Sequence, residues 1–413
     1  MSAPAPTHLL LIHQVFAGPD EPGGTRHSEL GSRFVAAGHK LTVVASSLNY
    51  FTGKRKTKRP RLVELQQVRG IDILLAYTFQ SLHRNFVWRT LSFFSFMLSS
   101  FLVGIRVRNV DVVMATSPPM FQAFSAWLVA ALRRKPLLLE IRDLWVDFAV
   151  ELGVLKNPAL IALARRAERF LYRHAAHILV NSPAYRDHII AAGIPARRVS
   201  LIPNGVDVRA FAAAVADPSF RERWRLRDKF VVVYAGALGM ANDIPVILRA
   251  AQRLEDDSQI HFMIVGEGKE REALARLAAE MHLHNLSFVP PLAKSEVPGM
   301  LQSADACLAT LRDIPMFTTT YPNKVFDYMA AGKPVILAID GVIREVVEKA
   351  GGGIFVTPSD DAALAGAVRR LKNDPAAARA MGEAGQKYVA LNFDRDMQAR
   401  AFAGLVVSMA RPS

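Results

Sequence analysis

Short apolar runs alternate with stretches of helical period along nearly the whole chain. The runs 8–13, 40–45, 69–76, 111–115, 136–141 and 177–181 fall in the first half, and 230–234, 260–265, 286–289, 305–310 and 335–339 in the second. Most of them are close to continuous in Val, Ile, Leu and Ala, which is how strands covered on both faces of a parallel sheet read. Between them, 25–37, 165–175 and 244–252 carry apolar residues at helical spacing, and 394–410 reads as a last helix. The alternation predicts an α/β protein built on doubly wound sheets. A chain of 413 residues has room for two domains of about 200 residues, each with its own core. The second half restarts the pattern, with 208–228 as linker and first helix and 230–234 as a new first strand.

One stretch concentrates the signals, 318–340, TTTYPNKVFDYMAAGKPVILAID. Pro322 suits the first turn of a helix, where its missing N–H has no partner to lose. Val325, Phe326, Tyr328 and Met329 form an apolar stripe, Gly332 ends the helix, and Pro334 bars its continuation into the strand 335–339. A helix that starts at the end of an α/β sheet offers free amides and a positive dipole end, which attract phosphate. Lys324 sits in the first turn, and Asp327 follows three residues later on the same face. The pair can be a solvated ion pair. It can also be a diphosphate-binding ammonium beside a ribose-binding carboxylate.

Other loops fit such a ligand. Gly23 and Gly24 follow the first strand, where a doubly wound sheet places ligands, and Gly239 closes a glycine loop after 230–234. The GEGKER sequence at 266–271 looks like a dinucleotide motif, but it lacks the third glycine and opens no domain, so NAD is rejected. EIRDLW at 140–145 places Arg142 and Asp143 at the C-terminal end of a strand. They either brace the loop as a buried pair or take part in chemistry.

Composition narrows the partners. A single cysteine, Cys307, lies in an apolar run, excludes a disulfide framework or cysteine metal cluster, and reads as a packed thiol. The net charge of +14 suits nucleic acid, an anionic membrane or a polyanionic substrate. The basic run Lys54, Arg55, Lys56, Lys58, Arg59 and Arg61 comes with no nucleic-acid-binding motif, so nucleic acid ranks last. Met1 to Thr7 has no basic n-region and no secretory signal is expected. The segment 86–105, FVWRTLSFFSFMLSSFLVGI, has the length of a span but carries Arg89 and several serines. A core helix and a membrane-facing helix both fit it.

The segment 322–336, PNKVFDYMAAGKPVI, resembles the nucleotide-sugar-binding segment of family 4 glycosyltransferases of the GT-B fold. It is most similar to the bacterial cell-surface polysaccharide (L-fucosamine transferase-like) branch. IPNGVD at 202–207 and VGEGKER at 265–271 match the family in the same order, and the resemblance runs from Leu9 to about Ala403. It implies two Rossmann-like doubly wound domains facing a cleft: 1–207 on the acceptor side, 208–393 for the nucleotide sugar, and 394–413 as a helix returning to the first domain. Lys324, Arg142 and Asp143 take the catalytic positions. Gly23, Gly24, Gly239, Gly266, Thr319, Thr320, Tyr321, Asn323 and Asp327 take the donor-binding ones. The chain departs from the family in three places. Arg142 and Asp143 stand about where many family members have a histidine, Ala237 and Asp243 replace a basic pair, and Thr319 and Asp327 replace paired glutamates.

The activity so implied is transfer of a sugar, with retention, from a nucleotide-diphosphate donor to a lipid-linked or glycan acceptor, with uridine favoured as the nucleoside. No metal or other cofactor is expected, since Lys324, Arg312 and helix ends can stabilise the leaving diphosphate. An anionic membrane surface is an expected partner, and the expected location is the cytoplasm, peripheral on the inner face of the cell membrane. A nucleotide-sugar epimerase of the same fold and a non-catalytic nucleotide-sugar-binding subunit of a polysaccharide complex remain as alternatives.

Overall fold

The computed structural model describes residues 5–18, 25–49, 54–57, 61–80, 86–216 and 218–411. The described chain forms two compact units, which divide between Pro203 and Asn204 and again between Arg395 and Asp396. Residues 396–411 belong to the first unit.

The first unit holds an eight-stranded sheet: β1 (His8–Ile12), β2 (Lys40–Ser46), β3 (Val63–Val68), β4 (Ile71–Ala76), β5 (Val112–Ser117), β6 (Leu137–Ile141), β7 (His177–Val180) and β8 (Val199–Leu201). Their order is β3-β4-β2-β1-β5-β6-β7-β8. Every pair is parallel except β3 with β4. The run expected at 69–76 is half of a hairpin: Arg69 and Gly70, both at positive φ, make its turn. β3 escapes the apolar pattern because its residues alternate between exposed and half-buried at the edge of the sheet. The helix expected at 165–175 begins earlier, at Pro158, where the Asn157 side chain accepts from the amides of Ala159 and Leu160.

The final helix, Arg395–Ala410, contributes Ala399, Phe402 and Val406 to a cluster with Leu9, Leu30, Phe34 and Leu41. Phe402 packs edge-on to Phe34, and Arg33 pairs with Asp396. The helix Phe86–Gly104 buries Phe96, Ser99, Ser100 and Val103, while Leu91, Phe94 and Leu98 stay exposed, Leu98 by 61%. No helix among the described residues is long and apolar enough to cross a membrane.

The second unit holds β9 (Phe230–Ala235), β10 (Ile260–Val265), β11 (Leu286–Val289), β12 (Ala306–Thr310), β13 (Val335–Ala338) and β14 (Gly353–Phe355). These are parallel throughout, in the order β11-β10-β9-β12-β13-β14. Numbered locally this is 3-2-1-4-5-6, the doubly wound order whose switch point lies between its first and fourth strands. Successive residues of β9 enter opposite cores: Val231 and Val233 one cluster, Val232 and Tyr234 the other. A strand buried on both faces has no polar side to show, hence the continuous apolar runs. Cys307 is fully buried in β12, and burial pushes its thiol up, consistent with packing rather than nucleophilic use.

Candidate active site

At the switch point of the second sheet, β9 leads to Gly236 and the loop to Gly239, while β12 leads to Arg312 and the turn Pro315–Thr319. The helix Asn323–Ala330 then starts with Pro322 as N-cap, one position before the first turn where it was expected. Pro322 has no side chain able to cap; its carbonyl accepts from the Val325 amide at 3.2 Å, and no side chain of the N-cap meets the amides of the first turn. Lys324 is the second residue of this helix. Its Nζ donates to the Tyr234 hydroxyl at 2.7 Å and to Asn242 Oδ1 at 3.1 Å, and lies 4.0 Å from the centre of the Tyr234 ring. Burial among these neutral groups pulls the ammonium down to about 7.

Lys324 does not pair with Asp327. The Asp327 carboxylate, half-buried, faces Lys294 at 3.5 Å. Helical spacing brings the two side chains to one face, but each is drawn to its own tertiary partner.

Backbone contacts lace the glycine loops together. The Gly236 amide donates to Val265 O at 3.0 Å, and the Leu238 amide to Glu267 O at 2.9 Å. Gly266 has φ +147, and a Cβ there would lie 1.9 Å from the Gly236 oxygen, so only glycine permits this approach. A Cβ on Gly236 would lie 2.9 Å from Lys324 Nζ. Gly239 is half-exposed with open space where a Cβ would be.

The turn before the helix is internally bonded. Thr319 and Thr320 hydroxyls donate to the Met316 and Phe317 carbonyls, at 2.6 and 2.9 Å. The Thr320 amide donates to Phe317 O, so it is not among the open amides. The Tyr321 ring packs against Phe326 and Phe393, and its carbonyl accepts from Asn204 Nδ2 at 2.7 Å. Tyr321 is thus an anchor of the turn, braced by the Asn204 of IPNGVD, and Asn323 is exposed beside it.

In the first unit, the C-terminal ends of β1 and β6 carry a buried polar cluster. Glu140, with no exposed surface, accepts from Arg26 Nε at 2.9 Å and from His27 Nε2. Arg26 also donates to the carbonyls of Pro203 and Ile202. Burial alone would raise the Glu140 carboxyl, but His27 and Arg26 hold it well below the usual carboxylate range. Burial drives His27 towards its neutral form, with the Nε2 proton directed at Glu140.

The buried acid at EIRDLW is therefore Glu140, two residues before the expected pair. Arg142 is half-buried. Asp143 keeps solvent access although protein crowds its other sides, and that crowding pushes its carboxyl up to about 6 against the pull of Arg142 and Tyr185. The notion of Arg142 and Asp143 as a buried brace does not hold. Gly23 and Gly24 lie outside the described residues.

Sequence reasoning missed Tyr234, Asn242 and Lys294, because partners 90, 82 and 33 residues away leave no local pattern. It also missed the Glu140 network, although a lone carboxylate within the apolar run 136–141 was a signal that a cation must meet it.

Comparison with known proteins agrees with this architecture. Residues 23–205 match the "Glycosyl transferase 4-like domain" model, and residues 217–388 match "Glycosyl transferases group 1". The putative colanic acid biosynthesis glycosyl transferase WcaI of Escherichia coli is 27% identical over 293 residues, 68% of this chain and 72% of that protein. The glycogen synthase of Mycobacterium tuberculosis is 24% identical over 402 residues, 94% of this chain and 91% of that protein. The crystal structure of Anabaena HepE in complex with UDP superposes with a TM-score of 0.73 at 17% identity, over 97% of this chain and all of that one. Two Rossmann-like units, each matched in chain order by a glycosyltransferase domain, make this protein a glycosyltransferase of the GT-B fold, with a family 4-like domain followed by a group 1 domain.

Proposed function

We propose that this glycosyltransferase takes its sugar from a nucleoside-diphosphate donor, with UDP favoured, and passes it with retention to a lipid-linked or polysaccharide acceptor in cell-surface glycan assembly. The observation that carries the reading is Lys324, a largely buried ammonium whose contacts among the described residues are neutral, at a helix start with no side-chain cap. As the glycosidic bond breaks, charge grows on the diphosphate, and a preorganised cation and helix dipole lower the barrier where that charge appears. Asp327 would accept from the ribose diol, and Arg312, exposed at the same loop, can add charge. Asp143 and Arg142 stay candidates on the acceptor side. In this reading the diphosphate is neutralised by Lys324, Arg312 and backbone amides rather than by a metal ion. Support for the donor comes from HepE, solved with UDP and with UDP-glucose, and support for the pathway class from the name of WcaI.

The membrane part of the proposal rests on two helices of the first unit that pack against the helix Phe121–Arg133. One exposes Leu91, Phe94 and Leu98; the other, Pro158–His174, exposes Leu160 and Leu163 beside Arg165, Arg166 and Arg169. Apolar side chains flanked by arginines suit the inner face of an anionic membrane.

Thermal melting with nucleotides in the presence of chelator tests the donor site. UDP at a hundred times its dissociation constant should stabilise the protein by about 2.7 kcal/mol. Lys324→Met should weaken UDP binding at least tenfold at pH 6. Full-strength binding by that variant, or a requirement for metal, would overturn the assignment.

A further inference from the structure

Resting on the donor reading above, we propose that Tyr234 and Asn242 are positioning residues: they form a neutral cradle that aims Lys324 at the donor diphosphate and couples donor binding to uptake of a proton. Lys324 Nζ meets one hydroxyl oxygen, one amide oxygen and one aromatic face. The Tyr234 hydroxyl accepts from Lys324 and donates onward to the Ala237 carbonyl at 2.8 Å, so its own geometry is fixed. Asn242 is held in turn, its carbonyl accepting from the Thr310 hydroxyl of β12. Gly236 leaves the space that Nζ occupies.

Among the described residues, the charged groups on the surrounding elements do not supply a counter-ion. Asp327, on the same helix, faces Lys294. Asp243, next to Asn242, accepts from the Ser359 hydroxyl. Glu267 faces Arg271, and Arg312 and Lys294 are themselves cations. A buried amine surrounded by dipoles is held in place but poorly stabilised as an ammonium, so its charge becomes favourable when a diphosphate enters. The low protonation point of Lys324 agrees with this geometry.

The sign follows. Free enzyme loses the Lys324 proton as pH rises through about 7, whereas the donor complex keeps it, so affinity falls with rising pH. Calorimetric titration of the full chain with UDP at pH 8, in two buffers of different ionisation enthalpy, should show uptake of ~0.9 proton. The dissociation constant should rise about tenfold per pH unit above 7. Tyr234→Phe keeps the ring but removes the acceptor, and should shift the onset of this loss to lower pH. Asn242→Asp places a carboxylate against Nζ. It should abolish the proton uptake and flatten the profile between pH 7 and 9, with weaker binding at pH 6. Lys324→Arg, charged throughout, should also show no uptake.

UDP binding by the wild type with no proton uptake, or a wild-type slope in Asn242→Asp, would overturn this inference and leave the donor reading standing. Failure of the folded wild type to bind any nucleoside diphosphate would overturn both.

Discussion

Gly341 controls the turn that carries Thr319 and Thr320, and replacing it with alanine tests that control. It is the N-cap of the helix Val342–Ala350, with φ 84° and ψ −144°, a region open almost only to glycine. A Cβ there would lie 2.0 Å from the Thr318 carbonyl oxygen and 2.5 Å from Thr318 Cα. Backbone cannot rotate aside as a flexible side chain can, so the turn must retreat by about 1 Å. Backbone strain of about 1–3 kcal/mol and overpacking of similar size point to a loss near 3 kcal/mol. For a unit of this size that is a melting decrease of about 6–12 °C. Because the displaced atoms begin the proposed donor turn, UDP affinity should fall about tenfold as well. Gly351→Ala is the control: its φ is +58°, but no atom lies within 4 Å of its Cβ position, so strain acts there without a clash. Both variants can be followed by melting curves with and without UDP. If Gly341→Ala melts no lower than Gly351→Ala and keeps its UDP shift, the Gly341–Thr318 contact does not set the turn.

Two further outcomes follow from the first unit. Glu140→Gln leaves Arg26 buried without its carboxylate and should cost about 3–5 kcal/mol, read by denaturant titration. Because the folded-state value of Glu140 is depressed, its contribution is present above the unfolded carboxyl range near pH 4 and is lost as pH falls through the folded value. Wild type should therefore lose stability more steeply than Glu140→Gln on acidification below pH 4, and parallel acid curves would count against the ionised assignment. Leu91→Glu with Leu98→Glu should reduce sedimentation with anionic vesicles while leaving the melting temperature unchanged, since both side chains are already exposed. Undiminished vesicle binding would remove this helix from the proposed membrane face.

Much of the architecture could be read before any coordinates. β10, β11 and the helix Ile244–Gln252 have the bounds expected of them. Strands covered on both faces leave apolar runs with sharp ends, and glycine and proline mark those ends. The edge strand β3 was not legible, because half its residues face water and its run is broken by Glu64, Gln66 and Gln67. The first two turns of Pro158–His174 were missed for a related reason: Leu160 and Leu163 point outward, which disguises the helical stripe.

For the site, the sequence by itself determined which residues are available: a lysine at a helix start, glycines after first strands, a carboxylate within an apolar strand. Local chemistry suffices for these, since caps, turns and buried strands restrict residue type over a few positions. Which group each side chain meets was decided only by the tertiary structure. Lys324 is held by Tyr234 and Asn242 rather than Asp327, Asp327 by Lys294, and Glu140 by Arg26 and His27 rather than Arg142. A buried charge is costly until some partner satisfies it, and the nearest partner in space comes from another strand or loop, brought there by sheet order rather than by neighbouring sequence.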